Sequence, residues 1–80
     1  CTVHFVRSDM DAGPIIVQAA VPVHDNDDED SLAARVLAAE NRCYPLAVRL
    51  IAEGRVRIVD ERVTIAGAIS PDVSLINPIV

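Results

Sequence analysis

Two apolar runs meet in residues 4–16, which read HFVRSDMDAGPII. The first run, residues 2–6, is rich in β-branched and aromatic side chains and predicts a strand, and residues 15–23 predict a second strand. A Gly-Pro pair closes the polar loop between them, because glycine permits backbone angles that other residues resist and proline fixes φ. The loop therefore holds the carboxylate of Asp11 between two strands, and binding and catalytic groups concentrate on loops of this kind.

A long amphipathic helix is predicted over residues 31–52. Asp28 is the expected N-cap, and two acidic residues follow it in the first turn, where the helix dipole favours negative charge. Pro45 is expected to kink or split the helix, and Gly54 is placed to end it. The apolar residues that share one face of this helix are Leu32, Val36, Ala39, Cys43, Ala47 and Leu50.

Two further segments, residues 55–59 and 62–66, alternate apolar and polar side chains around an acidic pair and predict a β-hairpin. Together these patterns predict an α/β fold of two strands, a long helix and a hairpin. We expect one domain over residues 1–67. An irregular tail is expected over residues 68–80, where two prolines interrupt the sequence.

The composition of the chain limits its function. Its 80 residues form at most one small domain, and a net charge of −5 argues against binding to nucleic acid or to an anionic membrane. Cys1 and Cys43 are too few for a disulfide framework, so we expect reduced thiols and a cytoplasmic location. The sequence begins at Cys1 inside a strand pattern, so we expect it to be part of a longer protein.

Three polar side chains are candidates for a functional site. Asp11 is either a solvated turn residue or a functional carboxylate, and His4 is either a satisfied sheet histidine or a residue that supports Asp11. Glu40 lies near the apolar stripe, so it either reaches water at the stripe's margin or points into a cleft with a polar partner. The acidic run at residues 25–30 lacks the glycine and closing glutamate of an EF-hand, so we interpret it as a solvated run that caps the helix.

The loop and its flanks resemble the 10-formyltetrahydrofolate-dependent formyltransferases, through His-Phe-Val followed by Asp-x-Gly-Pro-Ile-Ile. Val-Pro-Val at 21–23, Leu-Ala-Ala-Arg-Val at 32–36, Glu40 and Tyr-Pro at 44–45 then follow in order. That series is similar to the C-terminal third of the phosphoribosylglycinamide formyltransferases of purine biosynthesis. The resemblance implies that residues 1–67 are the C-terminal part of a formyltransferase-type open-sheet domain.

The same resemblance implies roles for individual residues. Asp11 matches the family's catalytic aspartate, which works with a histidine and a water, and His4 matches a supporting histidine near the folate. Glu40 matches a glutamate that binds the ribose hydroxyls of the ribonucleotide substrate. The implied cosubstrate is 10-formyltetrahydrofolate, the formyl donor, and no metal is implied. The positions that match the family's folate site are Val6, Ser8, Met10, Asp11 and Gly13.

The family's Asn-x-His-Pro motif, which carries a catalytic histidine and an oxyanion-binding asparagine, does not occur in this sequence. We therefore expect the 80 residues alone to be inactive, and we expect their partners to be small-molecule substrates and the missing N-terminal part of the same domain. Two alternatives stay open: a formyltetrahydrofolate hydrolase, which shares the Asp-x-Gly-Pro loop, and a non-catalytic module that pairs its sheet edge with a partner. The Tyr-Pro pair after Glu40 favours the formyltransferase over the hydrolase.

Overall fold

A computed structural model describes residues 1–6 and 13–80 of the chain. It confirms the predicted α/β order of two strands, one long helix and a two-stranded hairpin. The elements are β1 (Thr2–His4), β2 (Ile15–Gln18), α1 (Glu29–Ala52), β3 (Val56–Val59) and β4 (Arg62–Ile65). Within the described ranges, no helix is both long enough and apolar enough to cross a membrane.

Strands β1 and β2 form an antiparallel pair in which Val3 lies opposite Val17, and the register shifts between Val3 and His4. Beyond the strands, the N–H of Ala19 donates to the carbonyl oxygen of Cys1 at 2.9 Å. The second strand is shorter than the predicted segment 15–23, because the ladder with β1 reaches no further than residue 19. A segment of high strand propensity still needs a partner for its backbone hydrogen bonds.

The first turn of helix α1 is capped by side-chain hydrogen bonds. The carboxylate of Asp28 accepts the N–H of Ser31 at 2.8 Å, and the Ser31 hydroxyl accepts the N–H of Asp28 at 3.0 Å, which makes a reciprocal capping box. The predicted N-cap is therefore confirmed. The two first-turn acids, Glu29 and Asp30, place negative charge where the helix dipole favours it.

The end of α1 is equally well defined. Gly54 has a φ of +71°, and its N–H donates to the carbonyl oxygen of Ile51 at 3.0 Å. The N–H of Arg55 donates to the carbonyl oxygen of Leu50 at 3.1 Å. These two bonds form a Schellman motif, in which a left-handed glycine turns the chain away from the helix. The predicted role of Gly54 is confirmed.

The helix continues without interruption through Pro45. The sequence predicts that Pro45 kinks or splits the helix, and the prediction of a split is therefore wrong. Proline removes one N–H donor from the backbone ladder, but Cys43 and Ala47 on either side of it are buried. Packing of these neighbours holds the helix together across the missing bond, since tertiary burial supplies most helical stability in proteins.

The core lies between the C-terminal half of α1 and strand β2. Its buried side chains are Ile16, Cys43, Ala47 and Leu50, whereas Leu32, Val36 and Ala39 of the predicted stripe are only half-buried. The predicted hairpin is confirmed, with Val56 opposite Ile65 and Val59 opposite Arg62. Residues 66–80 contain no helix or strand, and the division of the chain near residue 67 stays a prediction.

Candidate functional site

The loop predicted to carry the chemistry falls largely outside the described residues. Ser8, Met10 and Asp11 belong to the segment 7–12, about which the structure gives no description. The two ends of the loop are described, and the N–H of Phe5 donates to the carbonyl oxygen of Pro14 across 3.0 Å. This hydrogen bond continues the β1–β2 pairing to the base of the loop.

Gly13 lies at the base of this loop, at a position where the neighbouring backbone leaves no room for a side chain. A Cβ atom at this position would overlap the carbonyl oxygen of Phe5 and would lie 3.2 Å from Nδ1 of His4. The sequence pattern favours a glycine here for its freedom in φ and ψ, whereas the structure gives the close approach of the Phe5 backbone as the reason. Any other residue would push the two ends of the loop apart.

His4 occupies the last position of β1 and is half-buried. Its Nδ1 lies 2.8 Å from the carbonyl oxygen of Phe5, which can only accept a hydrogen bond. Nδ1 therefore carries a proton, and in the neutral ring the other nitrogen, Nε2, is an acceptor. The hydrogen bond of Nδ1 fits the interpretation of His4 as a satisfied sheet histidine. It does not decide against a supporting role, because that role would use Nε2. Val6, the next candidate along the chain, is 83% exposed.

Glu40 lies on the exposed side of α1 and lines a cleft of about 550 Å³ between the helix and β1. Within the described part of the chain, no side chain or backbone group hydrogen-bonds to its carboxylate. Its exposure fits a side chain that reaches water at the margin of the stripe, and it also borders this cleft, but no polar partner meets it among these residues. A binding role for Glu40 stays a prediction. The other residues that line the cleft are Cys1, Thr2, Val3, Asn41, Cys43, Tyr44 and Pro45.

Strand β1 links the two candidate sites. Thr2 and Val3 form the strand side of the Glu40 cleft, and His4, the next residue, lies at the base of the loop. A ligand that extended from the cleft along this strand would therefore reach the base of the loop. The open carboxylate of Glu40 suits paired hydroxyl donors, because an ionised carboxylate accepts several hydrogen bonds and donates none.

An ion pair that no pattern in the sequence indicates fixes the segment that leads into α1. Arg35 donates from Nη1 to Oδ2 of Asp27 at 2.6 Å and from Nη2 to Oδ1 at 2.9 Å, and it also reaches the carbonyl oxygen of Pro22 at 2.8 Å. Asp27 accepts in addition the N–H of His24 at 2.7 Å. Charge-assisted bonds from Arg35 hold the pKa of Asp27 well below its usual range.

This pair changes the interpretation of the acidic run. The sequence predicts that the whole of residues 25–30 is solvated, but the side chain of Asp27 is only 7% exposed and both its oxygens are engaged. Asp27 is therefore part of a structural ion pair with Arg35. Among the described residues, no three metal-binding side chains come together.

The chain is similar to known formyl transferases in both sequence and structure. Residues 1–48 match the family model described as "Formyl transferase". The bovine (Bos taurus) trifunctional purine biosynthetic protein adenosine-3 is 52% identical over 58 residues, which are 72% of this chain and 6% of that protein. The Escherichia coli phosphoribosylglycinamide formyltransferase is 46% identical over 57 residues, 71% of this chain and 27% of that enzyme.

A solved structure gives the same result. The phosphoribosylglycinamide formyltransferase of Anaplasma phagocytophilum superposes with a TM-score of 0.79 at 48% identity, over 86% of this chain and 34% of that one. The chain thus spans at most about a third of the relatives to which it is compared. At this identity the likeness extends beyond fold alone, and the relatives' names do not favour the hydrolase alternative.

Proposed function

The chain belongs to the formyl transferase family, and from this premise we propose that it is the C-terminal part of a phosphoribosylglycinamide formyltransferase. The complete enzyme would transfer the formyl group of 10-formyltetrahydrofolate to the amine of glycinamide ribonucleotide, a step of purine biosynthesis. The observation that carries the proposal is the course of β1, which runs from the Glu40 cleft to the base of the Asp11 loop. Two substrates that react with each other need adjoining sites of this kind.

The reaction needs a group that handles protons. When the amine attacks the formyl carbon, the tetrahedral intermediate carries an N–H that must be lost and a folate nitrogen that must be protonated as it leaves. We assign this role to Asp11, which would act with a histidine and a water from the rest of the domain. A fixed carboxylate beside an imidazole supports both transfers, and general acid–base groups contribute roughly 10²–10⁴-fold to rates.

The folate donor would lie against the loop between β1 and β2. In this assignment Val6, Ser8, Met10, Asp11 and Gly13 contact the folate, largely through backbone groups. The hydrogen bond from Phe5 to Pro14 supports the assignment, because it fixes both ends of the loop on a paired ladder.

The ribonucleotide would enter the cleft between β1 and α1. Glu40 would accept hydrogen bonds from the two ribose hydroxyls, and its carboxylate is exposed to that cleft. His4, with Nδ1 committed to the Phe5 carbonyl oxygen, would present Nε2 beside the loop. The two substrates would then meet near the last residue of β1.

The remaining catalytic groups would come from an N-terminal part of the same domain. The Asn-x-His-Pro motif is absent from these 80 residues, so we propose that the chain alone does not catalyse the transfer and works in the cytoplasm as one piece of a larger enzyme. This proposal accords with relatives in which the matched segment is a minor share of the protein. No metal takes part in the proposed chemistry.

Product analysis tests the proposed function. A protein that joins this chain to the N-terminal portion of the Escherichia coli enzyme would be incubated with 10-formyltetrahydrofolate, with and without glycinamide ribonucleotide. We expect formylated ribonucleotide and tetrahydrofolate only when both substrates are present. Free formate released without the ribonucleotide would instead identify a hydrolase, and no turnover of either kind would favour a non-catalytic module.

A further inference from the structure

The two cysteines of the chain meet although they are far apart in sequence. Sγ of Cys1 lies 3.8 Å from Sγ of Cys43, and 42 residues separate them. Both are free thiols, so the sulfur atoms touch without a covalent bond. No pattern in the sequence indicates that the two residues are neighbours.

The two thiols differ in their access to solvent. Cys1 is exposed, whereas Cys43 is only 6% exposed and belongs to the core between α1 and β2. Both line the cleft that also contains Glu40. Cys1 is therefore the more accessible of the two thiols, and the sulfur of Cys43 lies in contact with it.

We propose that Cys1 and Cys43 form a reactive dithiol site that is oxidised by small-molecule disulfides such as glutathione disulfide. The inference does not depend on the proposed formyl transfer, because it rests on the contact between the two sulfurs and their unequal exposure. Exchange between a thiolate and a disulfide needs an attacking sulfur with access, and its completion to a protein disulfide needs a second thiol close to the first. The pair supplies both.

The chemistry is two successive exchanges. The thiolate of Cys1 attacks one sulfur of the oxidant, a mixed disulfide forms on Cys1, and one small thiolate leaves. The thiolate of Cys43 then attacks the Cys1 sulfur, the Cys1–Cys43 bond forms, and the second small thiolate leaves. Two protein thiols are oxidised, one disulfide is reduced to two thiols, and the protons of Cys1 and Cys43 pass to the departing thiolates or to water.

The second step is favoured by the structure. The Cys43 sulfur is already in contact with its target, so the attack is intramolecular and competes well against glutathione in solution. The product would join β1 covalently to α1 on the wall of the Glu40 cleft, because Cys1 adjoins β1 and Cys43 lies within the helix. An oxidising environment would thus change the wall of this cleft by linking Cys1 to Cys43.

Peptide mapping tests the proposal. The protein that carries this chain would be treated with excess glutathione disulfide, blocked with iodoacetamide and digested with trypsin, which releases Cys43 in the peptide of residues 43–49. We expect this peptide to be linked to the peptide that ends at Arg7, in roughly 10-fold or greater excess over the glutathione adduct of Cys1. The same treatment in concentrated urea should lose most of this preference, because the contact between the sulfurs is then lost.

Two variants provide the controls. Cys43→Ala keeps a small apolar side chain in the core and should accumulate the glutathione adduct on Cys1, while Cys1→Ser should leave Cys43 unmodified because it is buried. The ratio of linked peptides to glutathione adduct in the wild-type protein tests the proposal even if a variant does not fold. A native protein in which Cys1 stops at the glutathione adduct, or in which neither thiol reacts, would overturn the proposal.

Discussion

The backbone of Gly13 passes so close to the Phe5 carbonyl that the two residues leave no room for a side chain at position 13. A Cβ at that position would overlap the Phe5 oxygen and would lie 2.8 Å from the Phe5 carbonyl carbon. These atoms are backbone, so they cannot move aside as the end of a flexible side chain would. The closure of the loop between β1 and β2 therefore depends on the glycine itself.

A methyl group at this position should open the base of the loop. Gly13→Ala is expected to displace the Phe5 carbonyl and weaken the hydrogen bond from Phe5 to Pro14, at a cost of about 1–3 kcal/mol in the free energy of unfolding. Chemical denaturation would measure that cost, and calorimetry would measure folate affinity, which should fall with it. Crystallography of the variant would show the separation of the two strands.

The matched control is Gly54→Ala. Gly54 has a φ of +71°, but no neighbouring atom lies within 4 Å of the place that a methyl group would occupy, so backbone strain is the whole cost of this variant. It should lose about 1–2 kcal/mol of stability and keep its folate affinity. Unchanged folate binding in Gly13→Ala would refute the link between this glycine and the loop.

The ends of the helix and the hairpin could be predicted from short stretches of sequence. Asp28 and Gly54 are predictable from residue type and position, because capping and left-handed turns depend on a few consecutive residues. The hairpin follows from two alternating segments around Asp60 and Glu61, which both adopt positive φ in the turn. At these places the sequence alone carries the information.

Contacts between distant residues could not be predicted in the same way. The pairing of Asp27 with Arg35 depends on how the loop before α1 folds back on the helix, which helical periodicity does not describe. The contact between Cys1 and Cys43 depends on the packing of β1 against α1. The sequence indicates that Gly13 is needed, but the reason, a close approach of the Phe5 backbone, is visible only in three dimensions.

The pair of Asp27 and Arg35 predicts a pH-dependent contribution to stability. Hydrogen bonds from Arg35 and from the His24 N–H lower the pKa of Asp27 in the folded protein. A group whose pKa is lowered by folding contributes its stability above its unfolded-state pKa of about 3.9, and the contribution is lost as the pH falls from there towards the folded value. Asp27→Asn should therefore be less stable than wild type at pH 7, with a gap that narrows below about pH 4.

Urea unfolding at a series of pH values would measure this gap. Asp25→Asn is the control, because Asp25 belongs to the same acidic run but is exposed to solvent. Its unfolding midpoint should follow wild type at every pH. A gap between Asp27→Asn and wild type that stayed constant down to about pH 3, below the unfolded-state value, would show that the charge of Asp27 does not matter.

Glu40 is predicted to act on one substrate only. In the complete enzyme, Glu40→Ala should raise KM for the ribonucleotide by roughly 10-fold to 100-fold, the usual cost of losing a hydrogen bond to a charged group, and should leave KM for the folate nearly unchanged. Steady-state kinetics with each substrate varied in turn would measure the two values. Glu53→Ala, which removes an exposed carboxylate near the end of the same helix, should change neither. Equal effects of Glu40→Ala on both substrates would argue against a role in binding the ribonucleotide.

Asp11 is predicted to act in the transition state more than in binding. Asp11→Asn keeps the size of the side chain and removes its charge, so the folate pocket should survive and folate affinity should stay within a few-fold. In the enzyme with its upstream histidine, kcat should fall by at least ~10²-fold, because proton transfers to and from the tetrahedral intermediate lose their carboxylate. Asp9→Asn removes a charge from the same loop and should have little effect on kcat. Near-normal kcat in Asp11→Asn would mean that this aspartate only shapes the turn before Gly13, and the catalytic assignment would fail.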